Sequence, residues 1–131
     1  MAQKSATIAC INNNHILLLR RGPTAKWKAG MYCLPGGKLE KGETLKDGGL
    51  RELFEETGIV TYRDSLTPVT IDYEVGYSKI VFVTNLDHRN VTLNWEHDHY
   101  VWVSPQEMAS YSLVPGLPTT IKTLVGHGYL S

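Results

Sequence analysis

Apolar positions in the first half of the chain follow two different periods. Short apolar runs over 5–11 and 15–20 flank asparagines at 12–14, a residue type that tolerates left-handed turn geometry, and together they predict a β-hairpin. Between residues 44 and 57 the apolar positions fall at i, i+3, i+4 and i+7, which predicts one face of an α-helix packed on a core. The four positions are Leu50, Leu53, Phe54 and Thr57.

The middle of the chain reads as strands. Valine and isoleucine recur in segments typical of strands at 59–62, 66–77 and 79–86, and a further strand is predicted at 100–103. Together these segments suggest a mixed sheet.

Two helical segments are predicted near the end of the chain. Ser104, Pro105 and Glu107 have the N-cap, N1 and N3 identities of a capping box, so a short helix is expected there. Helical spacing over 118–125 predicts the last element. With 131 residues the chain is long enough for one core, and we expect a single domain over 1–131 of the α/β (α+β) class.

Composition excludes several classes of protein. Thirteen basic and thirteen acidic residues cancel, whereas domains that bind duplex nucleic acid are usually strongly basic. The aliphatic run at 17–19 is far shorter than the ~20 apolar residues that span a bilayer, so no membrane partner is expected. The first residues lack the apolar segment of a secretion signal, which predicts a cytoplasmic protein. In that compartment Cys10 and Cys33 are expected to be reduced core residues.

Three glutamates of the first helix share one face. At about 100° per residue, Glu52, Glu55 and Glu56 lie opposite the apolar positions. A solvated charged face is the ordinary interpretation of such a set. Like charges at these spacings repel, however, and no lysine or arginine stands among the three to offset them. The triplet therefore predicts a binding platform for a hard divalent cation, which would be Mg²⁺ or, as a substitute, Mn²⁺.

Glycines punctuate the region around this helix. At Gly36 and Gly37 the missing Cβ lets the backbone turn and approach a ligand closely, and Gly58 is placed to end the helix. Gly48 and Gly49 each cost about 0.5–1 kcal/mol relative to alanine in a helix interior. Either the backbone is approached closely at this pair, or the helix begins after it.

The spacing of these residues carries a family resemblance. Gly37 is followed after five residues by Glu43 and after seven more by RELFEETGI over 51–59. This resembles the signature of the Nudix hydrolases, with no fixed position missing. The resemblance implies an α/β/α sandwich with a mixed β-sheet between helices. It also implies metal-dependent cleavage of a diphosphate linked to another moiety, with Mg²⁺ as cofactor and a small nucleotide as substrate.

The resemblance also implies roles for the acidic residues. The Gly37 carbonyl and the carboxylates of Glu52, Glu55 and Glu56 are expected to hold the metal, and Glu52 is the candidate general base. Some MutT-type members add one more glutamate from the loop before the tryptophan-containing strand. An ungapped comparison through Trp102 places Glu96 at this position, and an exposed loop carboxylate is the alternative.

Arg51 is expected to pair with Glu43 and brace the loop against the helix, and it is counted with Glu52 and Glu55 in the catalytic set. On the substrate side, Arg21 is the first choice for a phosphate contact, because an arginine fork matches phosphate oxygens, and Lys38 is a second basic candidate.

Aromatic residues and histidines also stand beside these candidate site residues in the sequence. Trp27 and Tyr32 could stack on a nucleobase, with aromatic packing under a loop as the alternative. His97 and His99 lack a further nitrogen or sulfur ligand at suitable spacing, so zinc is not expected.

The substrate expected from the resemblance is a nucleoside triphosphate, cut to monophosphate and pyrophosphate as in MutT-type members. The alternative is a dinucleoside polyphosphate or nucleotide-sugar/ADP-ribose hydrolase, an option that Tyr73 and Tyr77 keep open. A hypothesis from another class is a non-catalytic nucleotide sensor, which is disfavoured because no signature carboxylate is lost. A monomer and a homodimer are equally compatible with the sequence.

Overall fold

Seven strands and two α-helices make up the part of the chain that the structure, a computed structural model, describes: residues 3–74 and 77–131, with the side chains of 72–77 left aside. The strands are β1 (Gln3–Asn12), β2 (His15–Arg21), β3 (Tyr32–Cys33), β4 (Gly36–Lys38), β5 (Thr67–Glu74), β6 (Tyr77–Asn85) and β7 (His97–Val103). The helices are α1 (Leu45–Thr57) and α2 (Leu117–Gly126), with 3₁₀ turns at Arg63–Ser65 and Pro105–Ser110.

The strands form the mixed sheet that the sequence predicted. Its path runs β3-β2-β1-β6-β5, with β4 paired to β1 and β7 paired to β2. β1 and β6 run parallel along nearly all of β1, and the other pairs are antiparallel. The predicted hairpin joins β1 to β2 through Asn13 and Asn14, which have φ of 48° and 60°. Beyond the hairpin end, β1 continues beside β4 and β2 beside β7, so the two halves of the sheet separate.

Helix α1 packs on β1 at Gly49, the second glycine of its pair. Thr44 caps the helix by accepting a hydrogen bond from the Asp47 N–H at 3.1 Å, and Gly58 ends it in left-handed geometry with φ of 71°. The helix therefore starts before the glycine pair. A Cβ on Gly49 would lie 3.4 Å from the Ala6 Cβ, so the helix axis runs close over β1.

The orientation of α1 differs from the prediction at two positions. Leu53 and Thr57 are fully buried as expected, but Phe54 is 57% exposed and Glu56 is only 2% exposed. The reason is that the line of closest approach passes through Gly49 and Leu53. At about 100° per residue, Glu56 lies roughly 60° from Leu53 and Phe54 roughly 100° on the other side. The three glutamates consequently do not share one solvent face.

The remaining elements follow the sequence with one exception. The segment 59–62 was predicted as a strand, but it is an irregular connection that leads into the 3₁₀ turn at Arg63–Ser65. The capping box is present in the turn at Pro105–Ser110, and both cysteines are free and buried. No helix in the described ranges is long and apolar enough to cross a membrane.

Candidate active site

A pocket of about 590 Å³ opens between α1, β4 and the loops that follow β2 and precede β7. It brings together residues that lie far apart in the sequence. Predicted site residues in its lining are Arg21, Trp27, Gly36, Gly37, Lys38, Glu52, Glu56 and Glu96. Residues that sequence reasoning did not place there are Ser5, Thr7, Cys33, Leu34, Lys79, Val81, His97, Val114, Pro115, Leu117 and Thr120.

The glycine turn before α1 is shaped by two close approaches. Gly36 has φ of 151°, and a Cβ there would collide with the backbone of Ala6 and Thr7. A Cβ on Gly37 would lie 2.7 Å from the carboxyl carbon of Glu52. Larger residues are therefore excluded at both positions, and the Glu52 carboxylate lies directly over the turn.

The strand register decides which carbonyl faces the acidic residues. In the antiparallel β1–β4 pair, Ala6 stands opposite Gly37 and Thr7 opposite Gly36. Each pair two positions either side of Ala6–Gly37 is joined by a backbone hydrogen bond, from the Leu39 N–H to the Lys4 carbonyl and from the Ile8 N–H to the Pro35 carbonyl, so by alternation Gly37 directs its N–H and carbonyl toward β1. The Gly36 N–H instead donates to a Glu56 carboxylate oxygen at 2.9 Å. The backbone on the Glu56 side of β4 is therefore that of Gly36.

Glu52 and Glu56 both line the pocket, and both carboxyl groups have raised pKa values. Burial raises the pKa of Glu56 to about 9; the hydrogen bond from Gly36 opposes this shift, and the neighbouring carboxylates of Glu52 and Glu96 add to it. The pKa of Glu52 is also raised by burial, against the hydrogen bond from Arg51. Both ionised forms are thus disfavoured until a cation enters beside them.

Arg51 supplies the cation that the sequence did not place among the glutamates. Its guanidinium binds both Glu43 oxygens at 2.8 and 3.0 Å, which is the contact that the resemblance implied. It also donates to Glu52 at 3.0 Å, to Glu55 at 3.2 Å and to the Lys38 carbonyl at 3.1 Å. The hydrogen bonds lower the pKa of Glu43 and raise that of Arg51.

The expectation of an uncompensated triplet is therefore wrong for Glu52 and Glu55, because both carboxylates accept from Arg51. Arg51 forms no ion pair with Glu56 among the described contacts. Glu55 is turned toward Arg51 and does not line the pocket. Of the three glutamates, the buried Glu56 is therefore the one that has no ion pair with Arg51 among the described contacts.

The donor set fits a hard divalent cation, although it is not assembled around one. Within the described ranges no group of three or more His, Cys, Asp or Glu side chains is close enough to form a ready metal site. Glu52 and Glu56 face the same pocket, and Glu96 lines it from the loop before β7, held by Asn94 at 3.1 Å. These groups offer only oxygen ligands, which suit Mg²⁺ or Mn²⁺ and not a soft metal.

Basic and aromatic groups occupy the loop side of the pocket. The Arg21 Nε donates to the Trp27 carbonyl at 2.6 Å, and its guanidinium lies 5.4 Å from the centre of the Trp27 ring. Trp27 is half exposed and lines the pocket with Lys38. Arg21 and Trp27 therefore form one surface that could contact a phosphate and a flat group together.

Tyr32 lies elsewhere. It is buried, it packs edge-to-face on Tyr111 with ring centres 5.1 Å apart, and it is not among the lining residues. This is the packing alternative considered from the sequence. The side chains of Tyr73 and Tyr77 lie outside the described ones.

The fold and the acidic pocket define a Nudix hydrolase, and comparison with known proteins agrees. A family model described as the NUDIX domain matches residues 1–124, so the chain belongs to the Nudix family. The nucleoside triphosphatase NudI of Escherichia fergusonii is 29% identical over 126 residues, covering 84% of this chain and 89% of that protein.

Solved structures give the same result. The MutT protein of Methanosarcina mazei Go1 is 28% identical with a TM-score of 0.72, covering 97% of this chain and 96% of its own. A MutT structure reported for Aliivibrio salmonicida and Vibrio cholerae has a TM-score of 0.82 at 19% identity, covering 97% and 99% of the two chains. At the latter identity the likeness is one of fold.

Proposed function

We propose that this chain is a divalent-metal-dependent hydrolase that cuts nucleoside triphosphates to the monophosphate and pyrophosphate by water attack on phosphorus. The observation that carries the proposal is that the half-buried Glu52 and the buried Glu56 face one pocket whose loop side is basic. The name of the relative NudI, a nucleoside triphosphatase, supports this choice of substrate. We expect the protein to act in the cytoplasm, as a monomer or homodimer.

We assign the metal to Glu52, Glu56 and Glu96, together with the carbonyl of Gly36. The Gly36 backbone replaces that of Gly37 in this assignment because its N–H already contacts Glu56. A bound Mg²⁺ would supply charge neutralisation for the phosphates and a more acidic water. Glu55 would join the ligands after leaving Arg51.

The chain's own residues perform the other tasks of the reaction. Arg21 and Lys38 bind phosphate oxygens, because both line the loop side of the pocket. Glu52 accepts the proton of the attacking water, since its carboxylate lies over the glycine turn in the pocket and burial raises its pKa. The Arg51–Glu43 pair holds the Glu52 carboxylate over the glycine turn, so Arg51 acts as a positioning residue.

A substrate panel with carboxylate variants tests this function. Wild-type protein should release pyrophosphate from nucleoside triphosphates with Mg²⁺ and not with EDTA. Glu56→Gln should lower kcat/KM by about a thousandfold, because the inner ligand is lost, and Glu55→Gln should lower it less. Glu40→Gln is the matched control, since Glu40 is exposed and 3.6 Å from Arg51.

The panel also contains ADP-ribose and dinucleoside polyphosphates. Faster turnover of either compound would mean that it, and not a nucleoside triphosphate, is the substrate. Nucleotide binding without turnover of any compound would instead favour the sensor. Full activity of Glu56→Gln would contradict the metal assignment.

A further inference from the structure

The pocket extends from the acidic residues to the face of the sheet that lies away from α1. Helix α1 covers the Ala6 and Ile8 side of β1, as the contacts of Gly49 demonstrate. Side chains alternate along a strand, so Ser5 and Thr7 point to the other face. The parallel register places Lys79 beside Ser5 and Val81 beside Thr7 on β6. All four of these residues line the pocket.

Buried polar atoms in the pocket lack partners. Among described side chains, three buried nitrogen or oxygen atoms have no hydrogen-bond partner, and two of them, Thr7 Oγ1 and His97 Nδ1, belong to residues that line this pocket. His97 is 6% exposed, and its other ring nitrogen is 3.7 Å from the Cys33 sulfur. Buried polar atoms are nearly always satisfied in folded proteins, so a polar ligand is expected to complete them.

Lys79 indicates that the ligand presents a hydrogen-bond acceptor. An ammonium group offers three donors and no acceptor. Burial raises the pKa of the Cys33 thiol to about 11, and the charges of Arg21 and, more weakly, Lys79 act against that shift, so both cations lie within electrostatic range of Cys33. Asp72 stands opposite Lys79 on β5, and its side chain lies outside the described ones; none of the described carboxylates forms an ion pair with Lys79.

The position of Lys79 separates it from the phosphate-binding groups. Ser5 of β1 pairs with Lys38 of β4 on one side and with Lys79 of β6 on the other, so the two lysines share a face of the sheet but stand two strands, about 10 Å, apart. Apolar side chains also line the pocket: Leu34, Val81, Val114 and Leu117. A flat ring with polar edges fits such a lining better than a second phosphate does.

We propose that Lys79 reads the nucleobase by donating a hydrogen bond to a keto oxygen, O6 of guanine or O4 of uracil and thymine, with Thr7 and His97 completing the polar edge. The inference rests on the proposed function and specifies its substrate as keto-base nucleoside triphosphates. Adenine and cytosine present an amino group at the same position, which sets two donors against each other and leaves the ammonium unpaired.

The test compares kcat/KM for GTP, UTP, ATP and CTP in wild-type protein, Lys79→Met and Lys79→Arg, with Mg²⁺ present. Wild type should prefer GTP and UTP. Lys79→Met should reduce their kcat/KM by about tenfold to a hundredfold while changing ATP and CTP little, and Lys79→Arg should keep the preference. Lys38→Met is the matched control; it loses the same charge beside the phosphates and should slow all four substrates equally.

Other outcomes are equally informative. A uniform loss in Lys79→Met would make Lys79 a phosphate contact, and a lower Tm with an unchanged base ratio would make it a structural partner on the sheet; both overturn base reading while the proposed function stands. Wild-type preference for ATP or CTP also overturns it. Absence of turnover with every triphosphate overturns the proposed function and the base assignment together. Calorimetric binding of GMP and AMP gives a second readout, in which Lys79→Met should lose the GMP preference.

Discussion

At the scale of single residues, the site depends on two carboxylates that have different partners. Glu52 accepts from Arg51 at 3.0 Å, whereas Glu56 accepts from the Gly36 backbone and forms no ion pair with that arginine among the described contacts. Burial is the dominant cause of the raised pKa of both groups. An added cation would therefore stabilise the ionised form of Glu56 more than that of Glu52, which makes Glu56 the strongest metal ligand in our assignment.

Thr7 is a residue whose hydroxyl destabilises the free protein. Its buried Oγ1 has no partner among described residues, and an unsatisfied buried hydroxyl costs about 1–3 kcal/mol. Thr7→Val preserves the shape and suits a strand. We expect the free energy of unfolding to rise by about 1 kcal/mol in urea titrations, while kcat/KM for nucleoside triphosphates falls because a ligand contact is lost.

Thr120→Val is the matched control for this substitution. Thr120 lines the same pocket, but its hydroxyl donates to the Gly116 carbonyl at 3.2 Å. Removing a satisfied hydroxyl should leave stability unchanged or slightly lower. A stability loss in Thr7→Val as large as that in Thr120→Val would contradict the conclusion that the Thr7 hydroxyl is buried without a hydrogen-bond partner.

The residues that the sequence revealed are those with fixed local spacing. The signature places Glu52 and Glu56 on one helix beside the glycine turn, and this much requires no tertiary information. Thr7 and Lys79 were missed because they meet through a register between strands more than 70 residues apart. His97 was considered for zinc alone, since nothing local indicates that its ring would be buried in the pocket.

At the scale of elements, the glycine pair of α1 explains why the helix is turned differently from the prediction. A hydrophobic pattern treats glycine as neutral, so Gly48 and Gly49 did not contribute to the predicted core face. In the structure both are buried. Gly49 lets the helix approach β1, and Gly48 lets it approach the loop that precedes the helix. The contact line then passes through Leu53, and Phe54 is left outside.

The two glycines should respond in opposite directions to alanine. A Cβ on Gly49 would make ordinary contacts of 3.4–3.5 Å with Ala6 and Ile8, so Gly49→Ala should stabilise by about 0.5–1 kcal/mol through helix propensity. A Cβ on Gly48 would lie 2.8 Å from Leu39 Cγ, so Gly48→Ala should gain less or destabilise. Chemical denaturation of both variants measures the difference.

Activity provides the control for this pair. Gly48 also neighbours Glu43, with 3.3 Å between its added Cβ and the Oε1 atom that binds Arg51. Gly48→Ala should therefore lower kcat as well, whereas Gly49→Ala should not. Equal stabilities in the two variants would mean that helix propensity alone governs these positions.

At the scale of the whole molecule, the topology creates the pocket. β1 leaves β2 after the hairpin and pairs with β4 on one side and β6 on the other. The pocket forms where the two halves of the sheet separate, with α1 at one end and the residues before α2 at the other. Composition and periodicity predicted the elements and the mixed sheet, but this separation depends on long-range pairing that no local pattern encodes.

Stability of the whole protein should link metal and pH. A carboxyl group whose pKa is raised on folding contributes stability below its unfolded value, about 4.5, and loses it as pH rises through the folded value, about 9 for Glu56. Metal-free protein should therefore become less stable from pH 5 to 9. Mg²⁺ binds the ionised carboxylates, so it should reverse the loss, by about 2.7 kcal/mol at a hundred times its Kd.

The measurement is Tm in EDTA and in Mg²⁺ across that pH range, and the gap between the two curves should widen as pH rises. In Glu56→Gln the EDTA curve should be flatter and the gap small, because the inner carboxylate cannot ionise. A salt of monovalent ions at matched ionic strength controls for screening of the surface charges. A gap of constant size in the wild type would mean that the cation binds outside the Glu52–Glu56 pair, since carboxylates that ionise near their ordinary pKa would already be charged at pH 5.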